Sequence, residues 1–173
     1  MRKSLMLMGI MNDSDVEWLI EYGESRHFDS GTVLIREGQP IEWLYILLDG
    51  RLVVTIGSGK TVATLDSGEI VGEISFVDSR PPLASVQAAN EVHVLAISRE
   101  KLSAKLDRDV AFAARFYKAL AHFLADRLRT TTGRLGYGAA QQDSADELDD
   151  EFMDNVSLAA ARFDKMLRRL RSN

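Results

Sequence analysis

The chain has 173 residues, 46% of them hydrophobic, and a net charge of −5. That is apolar material for one ordinary domain with an appendage, and the negative balance argues against a nucleic-acid surface. There is no cysteine, and His27, His93 and His122 are far apart in sequence, which argues against disulfides, thiolate metal sites and a histidine metal centre.

The first residues are basic (Arg2, Lys3) and then apolar over 5–11, with no small-residue cleavage site following. The run reads as a packing segment and not as a signal peptide. No stretch approaches the roughly 20 apolar residues of a membrane span, so no membrane association is expected and the expected location is the cytoplasm. Residues 13–24 are predicted helical: Ser14 and Glu17 fit a capping box, Val16, Leu19 and Ile20 share one face, and Gly23 is placed to end the helix.

From Phe28 to Ile97 short β-rich runs alternate with glycine. The predicted strands are 32–36, 43–48, 51–56, 61–65, 85–89 and 92–97, which together argue a β-sandwich or barrel. Asp49-Gly50 reads as a hairpin signal, and Gly57-Ser58-Gly59 as a second tight turn.

Helical periodicity returns at Ser98, which can cap a short helix through Leu106. A longer helix is predicted over 108–131, where Ala113, Phe116, Tyr117, Leu120, Phe123, Leu124 and Leu128 form an apolar stripe. A Gly-, Ala- and Gln-rich loop, expected to be mobile, follows over 133–145. A last helix is predicted over 146–172, with Ser144 and Glu147 as a further capping box. In it Phe152, Val156, Ala159, Phe163, Met166 and Leu170 repeat at alternating spacings of 4 and 3, a coiled-coil seam. Its acidic start (Asp146, Glu147, Asp149, Asp150, Glu151) and basic end (Lys165, Arg168, Arg169, Arg171) complement the helix dipole.

Phe28-Asp29-Ser30-Gly31, Gly38, Tyr45-Ile46, Gly50, Leu65, Gly68 and Gly72-Glu73 carry a resemblance. The pattern over about 12–131 is similar to the cyclic-nucleotide-binding domain, in particular to the sensor half of catabolite-activator and Fnr-type regulators. The resemblance implies a mainly β fold with flanking helices: a double-stranded β-helix (jelly-roll) barrel, a short N-terminal helix and long C-terminal helices. Together with the residue patterns after Thr131, it divides the chain into the barrel with its N-terminal and hinge helices (1–107), a dimerisation-type helix (108–132), a flexible loop (133–145) and a terminal amphipathic helix (146–173). It also implies a phosphate-binding cassette between strands six and seven, with Val71, Gly72, Glu73, Ile74, Leu83, Ala84 and Ser85 around a cyclic nucleotide, cAMP or cGMP. In that scheme Glu73 accepts the ribose hydroxyl and Gly72 lets the backbone approach the sugar. Ser85 holds the place that meets the base, and the Leu83 amide touches phosphate.

One position departs from the pattern. The cassette arginine that neutralises the phosphate is replaced by Pro82, which has no charge, no side-chain donor and no N–H. Losing such a charge-assisted contact costs about 1.5–3 kcal/mol, roughly a tenfold to hundredfold weaker complex. Arg80 is the nearby cation: it either swings to the phosphate or is a solvated loop residue. Glu73, likewise, either meets a ribose or bonds the amides of its own turn.

Two function classes follow. One is a non-enzymatic regulatory sensor that couples a cyclic-nucleotide pocket to partner binding through the C-terminal helices. The other is a ligand-free dimeric scaffold that keeps the barrel. A DNA-binding regulator is disfavoured, because the roughly 40 residues after Thr131 hold a loop and one helix and no helix-turn-helix pair. No catalytic constellation and no clustered metal ligands can be named, so neither an enzyme nor a metal site is expected. A homodimer through 108–131 is expected. The terminal seam at 146–172 must fold back on its own barrel, pair in a dimer or dock on another protein.

Overall fold

A computed structural model describes residues 8–134 and 150–171. Helix α1 (Asp13–Tyr22) leads into eight strands: β1 (Glu24–Phe28), β2 (Val33–Ile35), β3 (Trp43–Asp49), β4 (Arg51–Ile56), β5 (Lys60–Asp66), β6 (Ile70–Val71), β7 (Ser85–Ala88) and β8 (Val92–Ser98). A short helix α2 (Glu73–Asp78) lies between β6 and β7. Three helices follow the barrel: α3 (Arg99–Arg108), α4 (Val110–Arg134) and α5 (Asp150–Arg171). The strands form two antiparallel four-stranded sheets, ordered β1-β8-β3-β6 and β2-β7-β4-β5, the expected jelly roll.

The apolar run of β3 shows why one sheet carries the helices. Tyr45 and Leu47 face the barrel interior with Leu52, Val86 and Val94, while Leu44, Ile46 and Leu48 face a second core built by the helices. A strand buried on both faces has no polar side to alternate with, so its sequence is continuously apolar. In the second core Phe112, Phe116, Leu120 and Phe123 of α4 meet Val16 and Leu19 of α1 and Ala159, Met166 and Leu170 of α5. Met8 and Met11 are buried there as well, as the packing reading of the N-terminal run requires.

Several local expectations change. The capping box of α1 is Asn12 with Asp15, not Ser14 with Glu17. The structure starts the helix earlier because Asp15 is also the buried anchor for Arg115 of α4, which grips it with two hydrogen bonds of 2.6 and 2.8 Å. Gly23 does end α1, but in extended backbone; a side chain there would lie 2.5 Å from Leu19 O and from Leu95 Cδ1. Asp49-Gly50 is not a hairpin. β3 and β4 belong to different sheets, and Gly50, at φ 91°, turns the chain from one sheet to the other. Gly57 and Gly59 do close a hairpin, between β4 and β5. Strands β1 and β6 were not anticipated. β1 is a largely exposed edge held by pairing to β8, and β6 has two residues, so neither carries a periodic signal.

Helix α5 folds back on its own chain. Arg162 pairs with Asp13 at 2.5 Å and donates to the carbonyls of Met8 and Met11 at 2.9 and 2.6 Å, while Lys165 and Arg169 both pair with Glu17. The buried part of the predicted seam, Ala159, Met166 and Leu170, is therefore covered in cis. The side chains of Phe152 and Val156, the capping box at Ser144 and Glu147, and residues 135–145 of the predicted loop lie outside the described residues. No helix among the described residues is long and apolar enough to cross a membrane.

Candidate functional site

The site is built where β6 runs into α2. Gly72 has φ 90°, a left-handed backbone that a side chain resists, and a Cβ there would come within 3.0 Å of Ile41 Cδ1 and of Trp43 O. Glycine is thus required by conformation and by space. The turn aims Glu73 inward, where it is only 2% exposed. A cavity of about 120 Å³ lies over this turn. Val71, Gly72, Glu73 and Ile74 line one side and Pro82, Leu83 and Ala84 another, with apolar walls from Ile35, Val54, Leu65 and Val86.

Six of the eight residues expected at the site thus converge on one cavity, and two do not. Arg80 is 83% exposed and faces Asp78 at 3.8 Å, outside the cavity lining. Ser85 also lies outside the lining, and its hydroxyl accepts the Glu37 N–H at 3.0 Å. Pro82 occupies the arginine slot, and its carbonyl accepts the Gly38 N–H at 2.8 Å.

The cation of the cavity comes from a distant helix. Arg127 of α4 donates from Nη1 to Glu73 Oε1, and from Nη2 to Glu69 Oε2 and to the Ile70 carbonyl, both at 3.0 Å. Its guanidinium lies 4.6 Å from the Phe123 ring centroid. Burial pushes the Glu73 carboxyl above the ordinary carboxylate range, Arg127 and the amides of Glu73 and Ile74 pull it back, and Glu69 adds to the push. Two carboxylates around one guanidinium leave a local charge of −1 when all are ionised. A second arginine grips the same turn from α3: Arg99 donates to Ser75 O at 2.8 Å and to Ile41 O at 3.1 Å. The cassette helix is therefore tied to the first two helices after the barrel, α3 and α4.

Arg99 and Arg127 were missed in the sequence, yet Arg127 had a signal. It lies four residues after Phe123 and seven after Leu120, on the buried stripe of α4, where a lone cation needs a buried partner. The stripe itself divides: Phe116, Leu120 and Phe123 are buried in cis, while Tyr117 and Leu128 are exposed. His27 and His93 pair in register on β1 and β8 with rings stacked at 4.0 Å, and Ser25 Oγ lies 2.7 Å from His93 Nε2. Among the described residues no group of histidine and carboxylate side chains could hold a metal ion.

Comparison with known proteins agrees with this geometry. The family model described as cyclic nucleotide-binding domain matches residues 25–109. An uncharacterized NTE family protein of Mycobacterium bovis is 24% identical over 132 residues, covering 76% of this chain and 23% of its own length. The cAMP-activated global transcriptional regulator CRP of Salmonella typhimurium is 26% identical over 129 residues, covering 72% of this chain and 60% of its own length. The chain thus spans under two thirds of either relative. A solved cyclic nucleotide-binding domain from Methylobacillus flagellatus superposes with a TM-score of 0.70 at 23% identity, over 82% of this chain and 85% of that one. The glycine-turned cassette between β6 and β7, the jelly roll that frames it and the matched segment lead to one conclusion: residues 25–109 belong to the cyclic nucleotide-binding domain family.

Proposed function

We propose that this chain is a non-enzymatic regulatory module in which a cyclic nucleotide, cAMP or cGMP, enters the cassette cavity and changes what the C-terminal helices present to a partner. The observation that carries this reading is the double tether of the cassette, Arg127 to Glu73 and Arg99 to Ser75 O. A ligand whose ribose hydroxyl is accepted by Glu73 must share that carboxylate with Arg127, so occupancy of the cavity bears directly on α4. The cavity of about 120 Å³ is smaller than the roughly 300–1,000 Å³ of ligand pockets, so binding requires the 79–83 loop or α4 to give way. A ligand that favours that opened arrangement shifts the population toward it. Release of α5 from α1 would then uncover its seam for a protein partner.

The homodimer reading is supported by a second face of α4. Val110, Ala114, Tyr117, Ala121 and Leu128 lie at helical spacing on the face opposite the stripe buried in cis, and Val110 and Leu128 are 80% and 67% exposed.

The ligand-free scaffold is the second reading, favoured by Pro82 and by the engagement of Arg127, the cation that lines the cavity among the described residues, with two carboxylates. Titration calorimetry of the native chain, Glu73→Ala and Pro82→Arg with cAMP and cGMP separates them. The sensor reading expects binding by the native chain, loss in Glu73→Ala and a tenfold to hundredfold gain in Pro82→Arg. No binding by the native chain, with binding restored in Pro82→Arg, would establish the scaffold.

A further inference from the structure

The helical side of the molecule carries a second concavity. An open groove of about 610 Å³ runs between α1 and the α3–α4 junction. One side is apolar: Trp18 and Tyr22, four residues apart on α1, stack with ring centroids 5.1 Å apart and planes 17° apart, and Tyr22 is exposed. The other side is cationic. Lys101, Lys105 and Arg108 project from one face of α3 at spacings of four and three.

Lys105 is held by Asp109 at 2.8 Å and lies 5.2 Å from the Phe112 ring centroid and 5.9 Å from that of Trp18. Among the described residues Asp109 is the only carboxylate lining the groove, so three cations against one carboxylate give a local charge of +2 there, in a chain of net −5. Lys101 and Arg108 form no ion pair among the described residues.

We infer that this groove is a docking site for an acidic segment of a partner protein, with carboxylates meeting Lys101 and Arg108 and an apolar side chain resting on Tyr22 and Trp18. The spacing supports an extended peptide. Lys101 and Arg108 are seven helical residues apart, about 10 Å along the axis, and an extended chain covers that in about three residues. Two acidic residues so spaced, with an apolar residue between them, match both walls at once. A polynucleotide is less well served: the cations end after three side chains, and the rest of a chain of charge −5 repels phosphates. The groove crosses the junction where Asp109 caps α3 and accepts the Phe112 N–H of α4, so its occupant contacts both helices. The inference stands independently of the cyclic-nucleotide reading.

The test is selection of the full-length chain against a displayed random-peptide library, followed by affinity measurement with the recovered peptides. The expected result is enrichment of Asp and Glu flanking an aromatic or aliphatic residue. These peptides should bind at least about tenfold more weakly to the Lys101→Glu/Arg108→Glu variant and should weaken as salt is raised. Both substituted residues are exposed, so the variant should keep the native melting temperature. Tyr22→Ala provides a charge-neutral second variant, with weakened binding also expected. Failure to enrich, peptides without acidic excess, binding by both groove variants as tight as by the native chain, or displacement by a single-stranded oligonucleotide at comparable affinity would overturn the proposal.

Discussion

Two arginines tie C-terminal helices to the body of this molecule, and their surroundings differ in kind. Arg127 reaches two buried carboxylates and a carbonyl beneath the cassette. Arg162 reaches one exposed carboxylate and two carbonyls at the edge of α1. Removing the first leaves the buried Glu73 carboxylate without its cation; removing the second mainly frees a helix. The cassette tether thus belongs to the fold, whereas the α5 clamp resembles a reversible latch.

The largest expected effect is from Arg127→Ala, which abandons Glu73 in the interior. A loss of about 3 kcal/mol is expected, a fall in melting temperature of about 6–12 °C. Raising the salt should leave this difference nearly intact, because buried pairs are poorly screened. A variant that melts like the native chain would remove the contrast between the two tethers.

Gly72→Ala comes next. The positive φ and the 3.0 Å approaches to Ile41 and Trp43 make a cost of about 1–3 kcal/mol the expected outcome of chemical denaturation. Arg162→Ala follows at about 1–2 kcal/mol, since it strands two partly buried carbonyls. Its signature is local: hydrogen exchange should accelerate in α5 and around Met8 and Met11 while the barrel stays protected. Equal acceleration in both regions would mean that latch and barrel open together.

The smallest effects concern pH, and the two regions have opposite signs. Arg162 holds the Asp13 carboxyl below its usual range, and Lys165, with Arg169, does the same for Glu17. Their contribution is complete above the unfolded carboxylate values of about 4 and disappears as pH falls through the lowered folded values. Acid should therefore release α5 first, read as exchange in 150–171. The folded Glu73 value is raised instead. Its contribution is complete below the unfolded value near 4.3 and is lost as pH rises through the folded one. Stability measured across that window should fall more steeply in the native chain than in Glu73→Gln, and parallel curves would refute the assignment.

The sequence made the barrel legible because glycine turns and apolar strands leave local marks. Gly72 and Glu73 are adjacent and Leu83 and Ala84 follow at short range, so this half of the cavity could be placed by spacing. Arg127 lies 54 residues from Glu73, and Arg99 lies 24 residues from Ser75. No local pattern encodes those meetings; only a charged residue on an apolar stripe hinted at one. Asp49-Gly50 misled for a related reason: a turn dipeptide reports the φ it permits, not whether the strands it joins will pair. Ser14 misled because two residues two positions apart, Asn12 and Ser14, could cap α1, and Arg115, 100 positions away from Asp15, decides between them.

The latch also has a consequence for biosynthesis. Met8 and Met11 lie under a helix whose anchoring arginine is 154 and 151 positions further along the chain. At about 5–20 residues per second, a ribosome needs on the order of 10–30 s to reach that arginine after making the methionines. Through that interval the apolar N-terminal segment lacks its final cover while the barrel strands are already being made. The nascent chain therefore passes through a stage in which Met8 and Met11 stand without their α5 cover, open to a chaperone.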